Sequence, residues 1–208
     1  MKKGFPVLML AWMVSITADA GAQDIESNDL NLQIRIRVYN FAKVTPDVIA
    51  KGEEEAGFVL EKVGIRTRWL ECSGPAVGLE CQSELGQRDF LVRILSGWAP
   101  VGTGIPRSAV GLALLAEDGG TMASVYIGRV TEIAATGLAW RAQVLGHGIA
   151  HEIGHLLMGS NGHAALGIMR AEWKRADLQS ISRRSLNFTS KQRKLLREAV
   201  HRRETAEK

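Results

Sequence analysis

Four of the five histidines in this 208-residue chain fall between positions 147 and 163. Two of them frame the run His151-Glu152-Ile153-Gly154-His155. On a helix, residues i and i+4 project from one face, one turn apart. Two imidazoles so placed can share one Zn2+. Glu152, beside the first histidine, can reach a water on the open side of such an ion. It can take the proton of that water as it attacks an amide carbonyl, then pass the proton to the leaving nitrogen. The ion supplies the rest, lowering the pKa of the water and polarising the carbonyl.

A catalytic zinc needs a third protein ligand and an open fourth position. His163 lies eight residues after His155, beyond Gly159-Ser160-Asn161-Gly162, a turn that lets the chain double back. Glu172 lies 17 residues after His155 and could return on a second helix. His147 lies one turn before His151, but three ligands from one straight helix cannot surround one ion. His147 is therefore expected to face core or cleft. His163 is the first choice for the third ligand and Glu172 the alternative.

Several elements must position these residues. Leu32, Ile34, Ile36 and Val38 alternate with polar residues, the period of a half-buried strand. Thr45-Pro46-Asp47 then offers a cap and a proline at the first helical position. Val48, Ile49, Ala56, Val59, Leu60 and Val63 form a helical stripe that ends at Gly64. Further strands are expected at 65–70, 90–95, 110–116 and 123–130, with a loop over 97–107 and a turn at 117–120. A long helix over 137–158 carries the histidines, with Gly159 as its stop. A last helix spans 190–204. The order gives an α+β fold: one mixed, twisted sheet of about five strands, with a long site-bearing helix and a C-terminal helix packed on it.

His151-Glu152-Ile153-Gly154-His155, followed by Gly159, His163 and Gly167-Ile168-Met169, resembles the metzincin clan of zinc endopeptidases. The spacing differs from the usual pattern. Glycine and the third histidine normally follow the second ligand by three and six residues; here the offsets are four and eight, and position 161 is Asn. The resemblance implies a zincin fold, one catalytic Zn2+ held by His151, His155 and His163, and Glu152 as general base. It also implies that Met169 belongs to a Met-turn beneath the metal. Val110, Gly111, Leu112, Ala113 and Leu114 would belong to the edge strand that pairs with an extended peptide substrate. The two tyrosines, Tyr39 and Tyr126, both precede the metal motif, so no tyrosine is expected to assist the oxyanion.

The ends of the chain carry other signals. Met1-Lys2-Lys3, an apolar run over 4–17 and Ala18-Asp19-Ala20 read as a signal peptide over residues 1–20. Residues 21–208 are then a single domain, expected in the periplasm or outside the cell, with no membrane anchor after cleavage. With only a short stretch between the cleavage site and the first strand, no inhibitory pro-domain is expected. In an oxidising compartment, Cys72 and Cys81, with turn residues between them, are expected to form a local disulfide.

Hydrophobic residues at 46% and charged residues at 23% exclude a disordered chain. The net charge of +4 hides an asymmetry, because residues 170–208 hold 12 Lys/Arg against 5 Asp/Glu. That basic end reads as the solvated face of a packed helix. It has no interleaved aromatic residues for base stacking, so nucleic acid is not an expected partner. The expected partner is a protein or peptide substrate, and the chain is expected to act as a monomer. A rival reading is a zinc-binding module without activity, used in adhesion or scaffolding. Glu152 argues against it, since a non-catalytic zinc site needs no carboxylate there.

Overall fold

The computed structural model describes Met1 and residues 32–205, apart from 75–76, 103 and 117–118. The signal peptide expected over 1–20 lies, apart from Met1, outside the described residues, as does the acidic pair of the 117–120 turn. The strands are β1 (Gln33–Asn40), β2 (Arg66–Glu71), β3 (Asp89–Leu95), β4 (Gly111–Ala116) and β5 (Gly119–Tyr126). The helices are α1 (Pro46–Glu61), α2 (Ile127–Ala134), α3 (Arg141–Met158), α4 (Arg175–Ser182) and α5 (Ser190–Thr205).

The strands form one mixed sheet in the order β2-β1-β3-β5-β4. The first four run parallel, and β4 pairs antiparallel with β5 at one edge. The expected α+β architecture is present. Ile34, Ile36 and Val38 of β1 face a core that also takes Ile49, Val59 and Leu60 of α1 and Leu145, Ile149 and Ile153 of α3. Every residue of α3 from Val144 to Leu157 is buried. This helix packs against α1, β4, β5, α2 and α5.

Three local expectations need correction. The fifth strand stops at Tyr126 instead of running to Val130, and α2 follows at once. Ile127, Val130 and Ile133 are buried at helical spacing, so the apolar run near Val125 serves a strand and then a helix face. The long helix starts at Arg141, because Gly137 takes a positive φ of 72° in a turn. Gln143 Oε1 accepts the Trp140 N–H there, at 3.1 Å. α1 does begin at Pro46, but the Thr45 side chain makes no capping bond; its carbonyl accepts from Val48 and Ile49 instead. The short helix α4, which buries only Leu178 and Ile181, had no expected counterpart.

The opposite face of β1 is polar and covered. Arg37 is 2% exposed although it carries a full charge. It donates to Ser83 O at 2.7 Å, Glu84 O at 2.9 Å, Ser83 Oγ at 3.1 Å and Asp89 Oδ2 at 2.9 Å. Arg35 adds two bonds to Asp89, of 2.8 and 2.5 Å. The Cys72–Cys81 disulfide, with Cα atoms 5.5 Å apart, ties the chain just before Ser83 and Glu84 to the end of β2.

The basic C-terminal segment is more than a solvated face. Arg184 pairs with Glu54 and Glu55 of α1, at 3.1 and 2.8 Å. Arg197 donates to Val63 O at 3.3 Å. Arg203 donates to Gln87 O at 3.0 Å and to Gly120 O at 2.9 Å. These cations satisfy carbonyls and carboxylates of earlier elements.

Burial alone would raise the Asp89 carboxyl. Hydrogen bonds from Arg35, the Gly86 N–H and Arg37 outweigh it and hold the group below the usual carboxylate range. Removing one partner of a buried pair costs about 3–5 kcal/mol. Asp89→Asn is therefore expected to lower the urea-unfolding midpoint at neutral pH. A lowered folded-state pKa stabilises above the unfolded value, so the gap should close as pH falls through the lowered pKa of Asp89. Urea titrations of both proteins at neutral and acid pH test this, and a gap independent of pH would contradict it.

Candidate metal centre

Helix α3 places His151, Glu152 and His155 on its buried length. It ends at Gly159, which adopts the left-handed conformation with φ 62° and ψ 30° as its position in the sequence implied. The chain turns there and brings His163 back to the other two histidines. One ligand atom from each of His151, His155 and His163 lies within 4.8 Å of the others. The ring centroids are 4.7, 5.4 and 4.9 Å apart.

The histidine rings are set by backbone carbonyls. His151 Nδ1 lies 2.8 Å from Ile168 O, and His155 Nδ1 lies 2.6 Å from Ser160 O. A carbonyl only accepts, so each Nδ1 carries the proton and each Nε2 presents a lone pair. The two Nε2 atoms face one another at 3.0 Å. Two lone pairs at that distance repel unless a cation lies between them, and neutral imidazoles suit Zn2+. Burial, then the neighbouring His155 and His163, push His151 down to about 3, which keeps its ring neutral. Burial also lowers His155 and His163.

Glu152 is 3% exposed, and burial pushes its carboxyl up to about 8. It sits directly beneath the edge strand. A Cβ on Gly111 would stand 2.7 Å from Glu152 Oε1 and 2.5 Å from Ser124 O. Glycine at 111 is what lets the carboxylate fit under β4.

The other expected residues separate clearly. Glu172 lines the same cavity but lies outside the histidine cluster. Its side chain is 65% exposed and pairs with Arg129 at 3.9 Å. His147 is completely buried and hydrogen-bonded through Nδ1 to Gln143 O at 2.9 Å, a core position as expected. Met169 is buried, and its Sδ would lie 2.8 Å from a Cβ on Gly154, which puts it against α3 between the two helix ligands. Gly111, Leu112, Ala113 and Leu114 belong to β4, and Val110 immediately precedes it. β4 pairs only with β5 among the described strands, so its outer edge offers free backbone groups.

A cavity of about 400 Å3 opens over the cluster. Val110 to Ala113, Arg170 to Trp173, Arg129 and Ile133 are among the residues that line it. Sequence reasoning missed Trp173, Arg129 and the carbonyls of Ser160 and Ile168, and it placed Gly111 on the edge strand without the close approach to Glu152. A carbonyl is present at every position and has no residue signature. The first half of α2, which carries Arg129, falls within the strand expected over 123–130, and the second half, with Ile133, had no expected element.

No family model matches this chain, and no curated protein matches it. Among solved structures, a crystal structure of a zinc-dependent peptidase from Methanocorpusculum labreanum (strain Z) shares its fold. The TM-score is 0.50 with 20% identity, over 77% of this chain and 99% of that chain. The likeness is one of fold.

His163→Ala is expected to weaken zinc binding by more than the ~10–100-fold typical of losing a partner behind a ligand. Glu172→Ala should leave it unchanged. Titration against a chromogenic chelator checks both, and the opposite pattern would make Glu172 the third ligand. Gly111→Ala should keep zinc but displace Glu152. A crystal structure of that variant with the carboxylate unmoved would contradict this account of the glycine.

Proposed function

We propose that this chain is a zinc-dependent endopeptidase, exported from the cell and active as a monomer on protein or peptide substrates. The observation that carries the reading is the pairing of the His151–His155–His163 cluster with the buried Glu152, side by side at the floor of one open cavity. The shared fold with a zinc-dependent peptidase supports it.

Zn2+ held by the three histidines would supply a water of lowered pKa and polarisation of the substrate carbonyl. The remaining work falls to the chain. The free edge of β4 offers N–H and C=O groups to an extended peptide, by the pairing that adds a strand to a sheet. That pairing lays a backbone amide across the cavity above Glu152. The charge of the bound Zn2+ would favour the ionised form of the buried Glu152, and that carboxylate would accept the proton of the attacking water and deliver it to the leaving amide nitrogen. Its burial keeps bulk water from that proton. The disulfide and the leader-like sequence over residues 1–20 support export.

Metal content and cleavage of a denatured protein mixture, measured for the wild type and Glu152→Ala, test the reading. The variant should keep its zinc and lose ~10^2–10^4-fold in rate, the range a positioned general base contributes. A wild type that holds zinc and cleaves no better than the variant would establish the non-catalytic zinc module in its place.

A further inference from the structure

The carbonyl of Ile168 receives two donors. His151 Nδ1 lies 2.8 Å from it, and Trp173 Nε1 donates to it at 3.0 Å. Both bonds are buried: Ile168 is fully enclosed, and His151 and Trp173 are 7% and 9% exposed. The indole also stands edge-on to His151, with centroids 6.1 Å apart and planes at 81°. It meets His147 the same way, at 6.4 Å and 89°. One side chain therefore touches the carbonyl, the ligand that depends on it, and the core histidine one turn earlier on α3.

The carbonyl belongs to the turn at Gly167-Ile168-Met169, where Gly167 has a φ of 76°. The Ile168 N–H is tied to Asn187 O at 3.0 Å, and Met169 O accepts from Ala164 N at 2.7 Å. The carbonyl between them is held by side chains alone. A carbonyl oxygen has two lone pairs, and Trp173 fills one of them. With that bond in place, the second lone pair points at His151 Nδ1. Without it, the peptide plane is free to rotate within the turn, and the Nδ1 proton loses its acceptor. The ring could then carry its proton on Nε2, a form that presents no lone pair to His155 and His163.

We propose that Trp173 is a positioning residue for the first metal ligand: through the Ile168 carbonyl and its own ring edge, it holds the His151 imidazole in the tautomer and orientation that aim Nε2 at the cluster. The proposal rests on the zinc-site reading above, but its first test needs no metal.

In the full chain without metal, nitrogen NMR of the His151 ring at mildly alkaline pH should show a single tautomer with the proton on Nδ1. Trp173→Phe keeps an aromatic ring and deletes the N–H; it should give a mixture of tautomers. Zinc affinity, read by competition with a chelator, should fall ~10–100-fold, the usual effect of losing support behind a ligand. Benzothienylalanine at position 173 replaces the N–H by sulfur in nearly the same shape. It should behave like Trp173→Phe, and it serves as the second variant if the smaller ring destabilises the protein. A single Nδ1-protonated tautomer in both variants, with wild-type affinity, would overturn the proposal. Wild-type values for the benzothienyl protein alone would also overturn it, since they would make packing the whole effect. A wild type that holds no zinc would remove the peptidase reading, and the tautomer comparison would still decide the role of Trp173.

Discussion

Burying ionisable groups along one helix sets the terms for the rest of this structure. From Val144 to Leu157, α3 is enclosed on all sides, yet it carries three histidines and a glutamate. A buried polar atom without a partner is costly. The neighbouring elements answer that cost one group at a time. The turn after Gly159 brings the Ser160 carbonyl to His155, and the Met169 turn brings the Ile168 carbonyl to His151. Each partner satisfies a donor and also chooses which nitrogen stays free. Satisfaction of the core and construction of the metal centre are the same set of hydrogen bonds. His147 shows the contrast: its Nδ1 is bonded to Gln143 O within its own helix, and it stays out of the histidine cluster.

The sheet serves the helix in a different way. Its four parallel strands bury the apolar face on which α1 and α3 pack, and the antiparallel β4 is laid over Glu152 at the edge. Close approach at Gly111 is the price of that overlap, since no side chain fits between strand and carboxylate. The second sheet face needs its own cover. Arg37 supplies it from the middle of β1, by drawing the carbonyls of Ser83 and Glu84 down onto the sheet.

Much of this was legible in the sequence, for identifiable reasons. His151, Glu152 and His155 are found by their spacing because a helix converts spacing directly into a shared face. The strands at Gln33–Asn40 and Asp89–Leu95 were legible because they bury one face or a continuous apolar run. Cys72 and Cys81 were legible because a small loop leaves few alternatives. His163 required a guess about how a turn would fold, and the structure brings it to the other two histidines. Helix α2 was illegible because Val125 through Val130 fits either period over so short a run. Trp173 was illegible because its role is carried through a backbone carbonyl. The basic tail looked like solvated charge because composition does not show that Arg184, Arg197 and Arg203 reach partners more than 80 positions away.

The sheet order also separates two surfaces. β2 and β4 are its opposite edges, four strand spacings apart, about 19 Å at the usual distance between neighbouring strands. The cavity belongs to the β4 side, and the disulfide-closed segment follows β2. An affinity handle, a dye or a surface attachment placed on the exposed loop around Leu79 would thus leave the cavity mouth clear. The molecule has a working edge and a handling edge.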